Sequence, residues 1–195
     1  MPESNITKKA LATALKELME EMPFEKINVS AICQRCDMNR KSFYYHFKDK
    51  YDLVNWIFDT EFIAVVTENK KEHTAEERVF FMKRICEYFY DNRTFYRRAL
   101  QIKGQNSFSD HFREYIQPLL KARIIFLLGD ENSVDFDEFT MDFLTDAMLC
   151  AMERWLLSNE CMPAEQFVNK FTRLIETVAE LMMQDTSLSG TKQQN

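Results

Sequence analysis

Apolar residues recur at spacings of three and four along most of the chain, which is the periodicity of amphipathic helices. Three Gly and four Pro in 195 residues leave few helix breakers. The pattern therefore predicts an all-α fold of about nine helices. The expected opening helix carries one apolar face, formed by Ile6, Ala10, Leu11, Ala14, Leu15 and Leu18.

Breaks in this periodicity set the expected limits of the later helices. Loops are predicted at 104–107 and 129–133, and Pro163 suits the first position of a helix. Pro118 is expected to kink or split the helix that contains it, near Gln117. A polar tail is expected after the last helix. The helices predicted after the first fifty residues are 49–70, 75–92, 93–102, 109–128, 136–158 and 163–184.

Residues 28–53 combine a short amphipathic helix, a turn and a second helix that is crowded with polar side chains. Asn28 precedes the first helix and is expected to cap it, because its side chain accepts a hydrogen bond from a free backbone N–H. Asp37 stands where the chain must reverse. Asp is one of the few residue types besides Gly that tolerate a left-handed conformation. These features predict a helix-turn-helix.

The second helix of this unit, at about 39–47, has the residue types that contact DNA. Met38 and Phe43 are expected to face inward and Phe47 to close the end of the helix, which turns the polar side chains outward. Arg, Lys and Asn bond base edges in the major groove, while Lys, Ser, Tyr, His and helix N-termini hold phosphates. We assign base contacts to Asn39, Arg40 and Lys41. The full set of expected DNA-binding residues is Asn28, Ser30, Asn39, Arg40, Lys41, Ser42, Tyr44, Tyr45, His46, Lys48 and Lys50.

The charge distribution agrees with DNA binding although the net charge is −6. Residues 26–50 carry six basic and two acidic side chains, a net charge of +4, which leaves −10 for the rest of the chain. A basic edge on an acidic body directs one end of the molecule to DNA. The distribution therefore favours one DNA-binding end over a general affinity for polyanions.

The run SFYYHFKDKYDL, residues 42–53, resembles the end of the DNA-binding domain in TetR-type transcriptional regulators. The resemblance implies that Tyr44 and His46 touch the DNA backbone or the groove wall and that Lys50 binds phosphate. The chain departs from the family pattern at Ala31, where an acidic residue is usual, and at Cys36 and Asp37, where Ala-Gly is usual. The matching residues are Ser42, Phe43, Tyr44, His46, Phe47, Lys50 and Leu53.

The resemblance extends upstream through ITKKALATALKELMEEMPFEKINV, which is similar to the family's opening helix and the loop after it. A narrower resemblance, carried by ITKKALA and NRKSFYYHFKDKYDLVNWIF, is to activators of dihydroxyacetone kinase operons. It implies a kinase-like protein partner as the effector. We expect a helix-turn-helix domain at 1–48, a helical regulatory and dimerisation domain at 49–185 and a disordered tail at 186–195.

The last two predicted helices are apolar on more than one face, so each needs a partner beyond its own chain. We expect a twofold homodimer through a four-helix bundle. Such a dimer would place two DNA-reading helices about one turn of DNA apart, or a multiple of it, which predicts a roughly palindromic operator. The expected interface residues are Phe143, Ala147, Ala151, Trp155, Phe171, Ile175, Val178 and Met182.

An aromatic cluster in the middle of the chain has two interpretations. Aromatic residues at helical spacing are most often part of a core, but they also line ligand cavities. The effector would then be a small molecule, whereas a protein effector would need no such cavity. The residues that would line an effector pocket are Phe81, Tyr88, Phe89, Phe112 and Tyr115.

Other function classes lack sequence support. We find no Gly-rich phosphate loop, HExxH run or Ser elbow, and so expect no enzyme activity, cofactor or metal site. Cys33 and Cys36 are expected to pack in the core, because no second pair stands nearby.

No apolar run reaches the roughly 20 residues that cross a bilayer, and the first residues lack a signal segment, so a cytoplasmic protein is expected. The alternative function is a helical protein-interaction module or co-regulator without direct small-molecule sensing.

Overall fold

The segments described by the computed structural model, 2–67, 75–102, 108–128 and 138–190, contain nine α-helices, one short 3-10 helix and no strand. The predicted all-α fold is confirmed. None of these helices is long and apolar enough to span a bilayer. The helices are α1 (Pro2–Glu21), the 3-10 helix (Phe24–Lys26), α2 (Val29–Arg35), α3 (Arg40–His46), α4 (Lys50–Thr67), α5 (Ala75–Asp91), α6 (Arg93–Ala99), α7 (Phe108–Leu128), α8 (Glu138–Leu157) and α9 (Ala164–Gly190).

The chain divides into two compact units, Met1–His111 and Phe112–Asn195. The first unit holds α1 to α6 and the first residues of α7. The second holds the rest of α7 with α8 and α9. A separate helix-turn-helix domain that ends at residue 48 stays a prediction.

α6 ends at Ala99, three residues before its predicted end, and α7 and α9 also depart from expectation. α7 runs through Pro118 without a break, so this proline does not split the helix. α9 continues to Gly190, the last described residue, beyond the end predicted at residue 184; no proline interrupts the intervening residues. The last part of the predicted tail, 191–195, and the predicted loops at 104–107 and 129–133 lie outside the described residues.

The core of the first unit forms around α1. This helix packs against α2, α3, α4 and α6, and α4 packs against α5. Leu11, Leu15 and Met19 are fully buried on the inner face of α1. Ile6, which the pattern places on that face, is 66% exposed. It lies more than a helical turn before Leu11, where the buried part of the stripe begins.

A polar network crosses the first unit. Lys16 Nζ on α1 lies 2.7 and 2.6 Å from the carboxylate oxygens of Glu61 on α4, and it donates to Asn92 Oδ1 at 3.3 Å. The Tyr88 hydroxyl donates to Glu61 at 3.2 Å and lies 2.5 Å from the Tyr96 hydroxyl. Burial raises the pKa of both hydroxyls, so Tyr88 and Tyr96 stay protonated at neutral pH. The network ties α1 to α4, α5 and α6.

In the second unit, Trp155 joins α8 to α9. Its indole ring stacks on Phe167 with centroids 4.1 Å apart, and its Nε1–H donates to the Met162 carbonyl oxygen at 2.8 Å. Arg113 on α7 forms an ion pair with Asp142 on α8 at 3.6 Å. These contacts hold the three helices of this unit together.

Candidate nucleic-acid interface

The turn between α2 and α3 has the geometry predicted from the sequence. Asn28 caps α2, since its Oδ1 accepts a backbone hydrogen bond three residues later at 3.0 Å. Asp37 adopts a left-handed φ of 53°. Its N–H donates to the Gln34 carbonyl oxygen at 3.4 Å. The Met38 N–H donates to the Cys33 carbonyl oxygen at 2.8 Å. This is a Schellman ending, in which glycine is the usual left-handed residue.

Buried aromatic residues fix the orientation of α3. Phe43 is fully buried, and Phe47, the residue that follows the helix, is 3% exposed. Asn39 caps the other end, because its Oδ1 accepts the Ser42 backbone N–H at 2.9 Å. With Phe43 and Phe47 inward, the opposite face of α3 is turned to solvent, as predicted.

The outward face of α3 brings together most of the candidate side chains. Arg40, Lys41, Tyr44 and Tyr45 are exposed, Tyr45 to 83%. Arg40 Nη2 donates to the Tyr44 hydroxyl at 3.4 Å, and its guanidinium carbon lies 5.8 Å from the Tyr44 ring centroid. These contacts hold Arg40 along the helix surface. Since a guanidinium has five N–H donors, one bond to Tyr44 leaves donors for a base edge or phosphate.

The remaining candidates near α3 differ in exposure. Ser30 and Lys48 are exposed, whereas His46 is half-buried with its ring 4.9 Å from that of Tyr45. Asn28 and Asn39 use their side-chain oxygens as helix caps. While its cap is formed, Asn39 can offer only its amide nitrogen to a base, so the two-bond contact with adenine is not available.

Lys50 has a structural role that sequence reasoning missed. Its Nζ donates to the carbonyl oxygens of Ile27 at 2.7 Å, Phe24 at 2.8 Å and Glu25 at 3.4 Å. It also lies 4.3 Å from the centroid of the Phe24 ring. Burial lowers the pKa of Lys50, an effect that Glu25 partly opposes. An ammonium has three N–H donors and all are used here, so Lys50 clamps the 3-10 helix and the residue after it to α4, and its contact with a phosphate stays a prediction.

Arg35 is also bound within the chain. Its guanidinium makes two 2.8 Å bonds to Glu21 and one of 3.4 Å to Glu17, both on α1. The hydrogen bond with Glu21 raises the pKa of Arg35 and lowers that of Glu21. The exposed basic side chains on α3 and directly after it are Arg40, Lys41 and Lys48.

The cysteines of the helix-turn-helix take part in packing. Cys33 is 2% exposed, and burial raises the pKa of its thiol. The Cys36 thiol donates to the Ile32 carbonyl oxygen at 3.3 Å. Within the described residues, no group of three or more His, Cys, Asp or Glu side chains is arranged to hold a metal ion.

A second surface, on α8, is apolar. Phe139 and Phe143 are 76% and 62% exposed, and their rings stack with centroids 6.4 Å apart. Ala147 and Ala151 are exposed at the next helical steps. Phe143, Ala147 and Ala151 are thus accessible, and their place in a dimer interface stays a prediction.

α9 presents a related stripe that was only partly predicted. Leu174 and Leu181 are 58% and 60% exposed, and the half-buried Phe171 and Val178 alternate with them. The spacing of three, four and three residues is that of a helix-pairing seam. The sequence already contains this spacing, so it could have predicted that Leu174 and Leu181 belong to the apolar stripe.

Two of the expected interface residues face the core instead. Trp155 is 4% exposed because it stacks on Phe167, and Ile175 is 6% exposed. Both therefore stabilise the fold of their own chain, which corrects the predicted interface. The side chain of Met182 lies outside the described residues.

The residues expected to line an effector pocket are placed as follows. Phe89 and Phe112 are 0% and 1% exposed and belong to the core. Tyr88 is held by the polar network described above. Phe81 and Tyr115 are half-buried. Binding of an effector by these residues stays a prediction.

Comparison with known proteins supports the N-terminal assignment. A family model described as bacterial regulatory proteins, tetR family, matches residues 11–57, which cover the helix-turn-helix. A second, TetR-type model, described as a transcriptional regulator C-terminal region, matches residues 79–177, just over half of the chain.

Individual relatives agree with these matches. The HTH-type dhaKLM operon transcriptional activator DhaS of Lactococcus lactis subsp. lactis (strain IL1403) is 27% identical over 157 residues, 79% of this chain and 81% of the relative. The solved structure of a dihydroxyacetone kinase operon activator DhaS has a TM-score of 0.62 at 18% identity, covering 90% of this chain and 97% of that one. NalD, the secondary repressor of the MexAB-OprM multidrug efflux pump in Pseudomonas aeruginosa, has a TM-score of 0.59 at 15% identity, covering 89% and 95%. The two structures share the fold, and the family matches show that the chain belongs to the TetR family of DNA-binding transcriptional regulators.

Proposed function

We propose that the chain binds a roughly palindromic operator as a homodimer, with α3 of each copy in the major groove. The observation that carries the proposal is the outward face of α3, where Arg40 and Lys41 stand beside Tyr44 and Tyr45 while Phe43 anchors the helix. The major groove admits an α-helix, and recognition helices direct their N-terminal residues at base edges. Arg40 and Lys41 are the first two residues of α3.

The other candidates divide into two roles. Side chains along and beside α3 hold phosphates and set the register of the protein on DNA without reading sequence. The cap residues Asn28 and Asn39 fix the starts of α2 and α3, Ser42 donates to the Asn39 cap, and the Asn39 amide nitrogen adds a donor at the groove. The proposed phosphate contacts are Ser30, Tyr44, Tyr45, His46 and Lys48.

The apolar stripes of α8 and α9 support the homodimer. Phe139, Phe143, Leu174 and Leu181 are all more than half exposed, and single proteins rarely leave a contiguous apolar patch uncovered. A second copy covers the same stripes reciprocally across a twofold axis. Two α3 helices would then meet the DNA about 34 Å apart, or at a multiple of that distance, which requires a palindromic site.

Similarity to DhaS suggests the regulated genes and the kind of control. The name of that relative assigns it to the activation of the dhaKLM operon. We infer that this chain regulates a dihydroxyacetone kinase operon, with an effector that acts through the C-terminal unit. Recovery of the DNA bound by the protein in its native host tests the inference. Bound sites beside such kinase genes support it, and their absence there contradicts it.

Selection of bound sequences from a pool of random duplexes tests the DNA-binding proposal. The wild type should select a palindrome. Arg40→Ala should lose the preference at one position of each half-site, a discrimination of about 1 to 3 kcal/mol. Lys48→Met is the matched control, because loss of a phosphate contact weakens binding to all sequences equally.

Two outcomes would contradict the proposal. If Arg40→Ala weakens binding uniformly, as Lys48→Met should, Arg40 does not read a base. If the wild type enriches no sequence at all, a helical protein-interaction module becomes the better description of the chain.

A further inference from the structure

Lys8 occupies an unusual position on α1. The residues three, seven and ten positions later, Leu11, Leu15 and Leu18, are buried on the inner face. Lys8 continues this stripe toward the helix N-terminus and is half-buried. A lysine in such a position covers apolar surface with its methylene groups while its ammonium stays in water.

The Lys8 ammonium lies over two aromatic rings at the end of the DNA-reading helix. Its Nζ is 5.7 Å from the ring centroid of Phe47 and 5.7 Å from that of Trp56. Phe47 directly follows α3, and its ring lies 6.4 Å from that of His46. His46 and Lys48, the neighbours of Phe47 in sequence, are both proposed phosphate contacts. The Lys8 charge therefore lies close to the C-terminal end of α3, where these two candidates stand.

Lys8 and Lys50 differ in what their donors do. Lys50 donates its three N–H groups to the carbonyl oxygens of Phe24, Glu25 and Ile27. Lys8 makes aromatic contacts, and the described part of the chain supplies no hydrogen-bond acceptor to its Nζ. The structure separates Lys8 from its neighbour Lys9, since Lys8 is half-buried and Lys9 is exposed.

We propose that Lys8 is a further DNA contact, which binds a backbone phosphate next to the one held by Lys48. This rests on the proposed function of α3. Phosphates follow one another about every 3.4 Å of helix axis on each strand, so a second cation close to His46 and Lys48 would be within reach of a neighbouring phosphate. The rings of Phe47 and Trp56 hold the ammonium in place, which reduces the side-chain entropy lost when the contact forms.

Lys8→Met tests the proposal, because Met keeps most of the stem over the rings and removes only the charge. Affinity of the full chain for a duplex of fixed sequence is measured between about 50 and 200 mM salt. Loss of one phosphate contact should flatten the slope of log affinity against log salt by about 0.9 and weaken binding about eightfold at 0.1 M. Lys9→Met is the matched control and should leave the slope unchanged. Thermal unfolding of each variant verifies the fold, and Lys8→Gln provides a second neutral variant.

The outcomes separate this proposal from the proposed function. A flatter slope for Lys8→Met and Lys8→Gln, but not for Lys9→Met, supports the contact. An unchanged slope for both Lys8 variants, with a flatter one for Lys48→Met, overturns it while DNA binding by α3 stands. Equal flattening by Lys8→Met and Lys9→Met also overturns it, since the effect would then be one of overall charge. A wild type whose affinity does not depend on salt contradicts both proposals.

Discussion

Replacement of Lys50 by Met distinguishes a clamp within the helix-turn-helix from a phosphate contact. The change removes hydrogen bonds of 2.7 and 2.8 Å to Ile27 and Phe24 and a longer one to Glu25. Hydrogen bonds of a charged group contribute about 1.5 to 3 kcal/mol each, and partial exposure places these near the lower value. The ammonium over the Phe24 ring adds about 0.5 to 1 kcal/mol. Release of the ordered side chain returns up to about 2 kcal/mol of rotamer entropy, so we expect a net loss of about 2 kcal/mol.

Chemical unfolding followed by tryptophan fluorescence measures this loss. The chain has two tryptophans, and Trp56 packs edge-on against Phe47 with ring centroids 5.7 Å apart. In a Trp155→Phe background, the signal comes from Trp56 alone and reports on the first unit. Lys50→Met should lower the free energy of unfolding by about 2 kcal/mol. The control Lys48→Met, at an exposed position, should change it by less than about 0.5 kcal/mol.

The same variants give opposite expectations for DNA binding. Under conditions where Lys50→Met is folded, the salt dependence of its affinity should equal that of the wild type. Lys48→Met should flatten the slope by about 0.9. An unchanged stability of Lys50→Met together with a flattened slope would refute the clamp and restore the phosphate contact.

Other predictions concern the turn and the second unit. Asp37→Gly should raise the melting temperature, because glycine removes a left-handed strain of about 1 kcal/mol. Asp37→Ala should not raise the melting temperature. Equal effects of the two substitutions would show that φ at this position is unstrained. Trp155→Ala should lower the stability of the monomer by about 3 to 5 kcal/mol in thermal unfolding. Phe143→Ala should leave monomer stability nearly unchanged and weaken self-association in sedimentation, and the reverse pattern for Trp155 and Phe143 would contradict their assigned places.

The helix-turn-helix was predictable because its signals are local. Asn28 and Asn39 cap helices that begin one residue later, and the effect of Asp37 on the turn depends only on its own backbone. Phe43 sets which face of α3 is buried, and helical spacing then places its neighbours. In each case the residue acts on backbone or side chains only a few positions away, so a local sequence pattern predicts the structure.

The contacts that sequence analysis missed are between residues distant in the chain. Lys50 binds carbonyl oxygens 23 to 26 residues earlier, and no local pattern shows that its donors are used there. Lys8 meets Phe47 and Trp56 only after α1 has packed against α3 and α4. Trp155 belongs to a helix that is apolar on more than one face. Helical periodicity alone cannot tell which of these faces packs within the chain and which faces outward.

Amide hydrogen exchange, with and without a duplex that contains the selected site, shows which helix meets DNA. We expect slower exchange on DNA binding in peptides that cover α3 and in those that cover the N-terminal half of α1, with α8 unaffected. Slower exchange confined to α8 and α9, with α3 unchanged, would contradict the placement of α3 in the major groove.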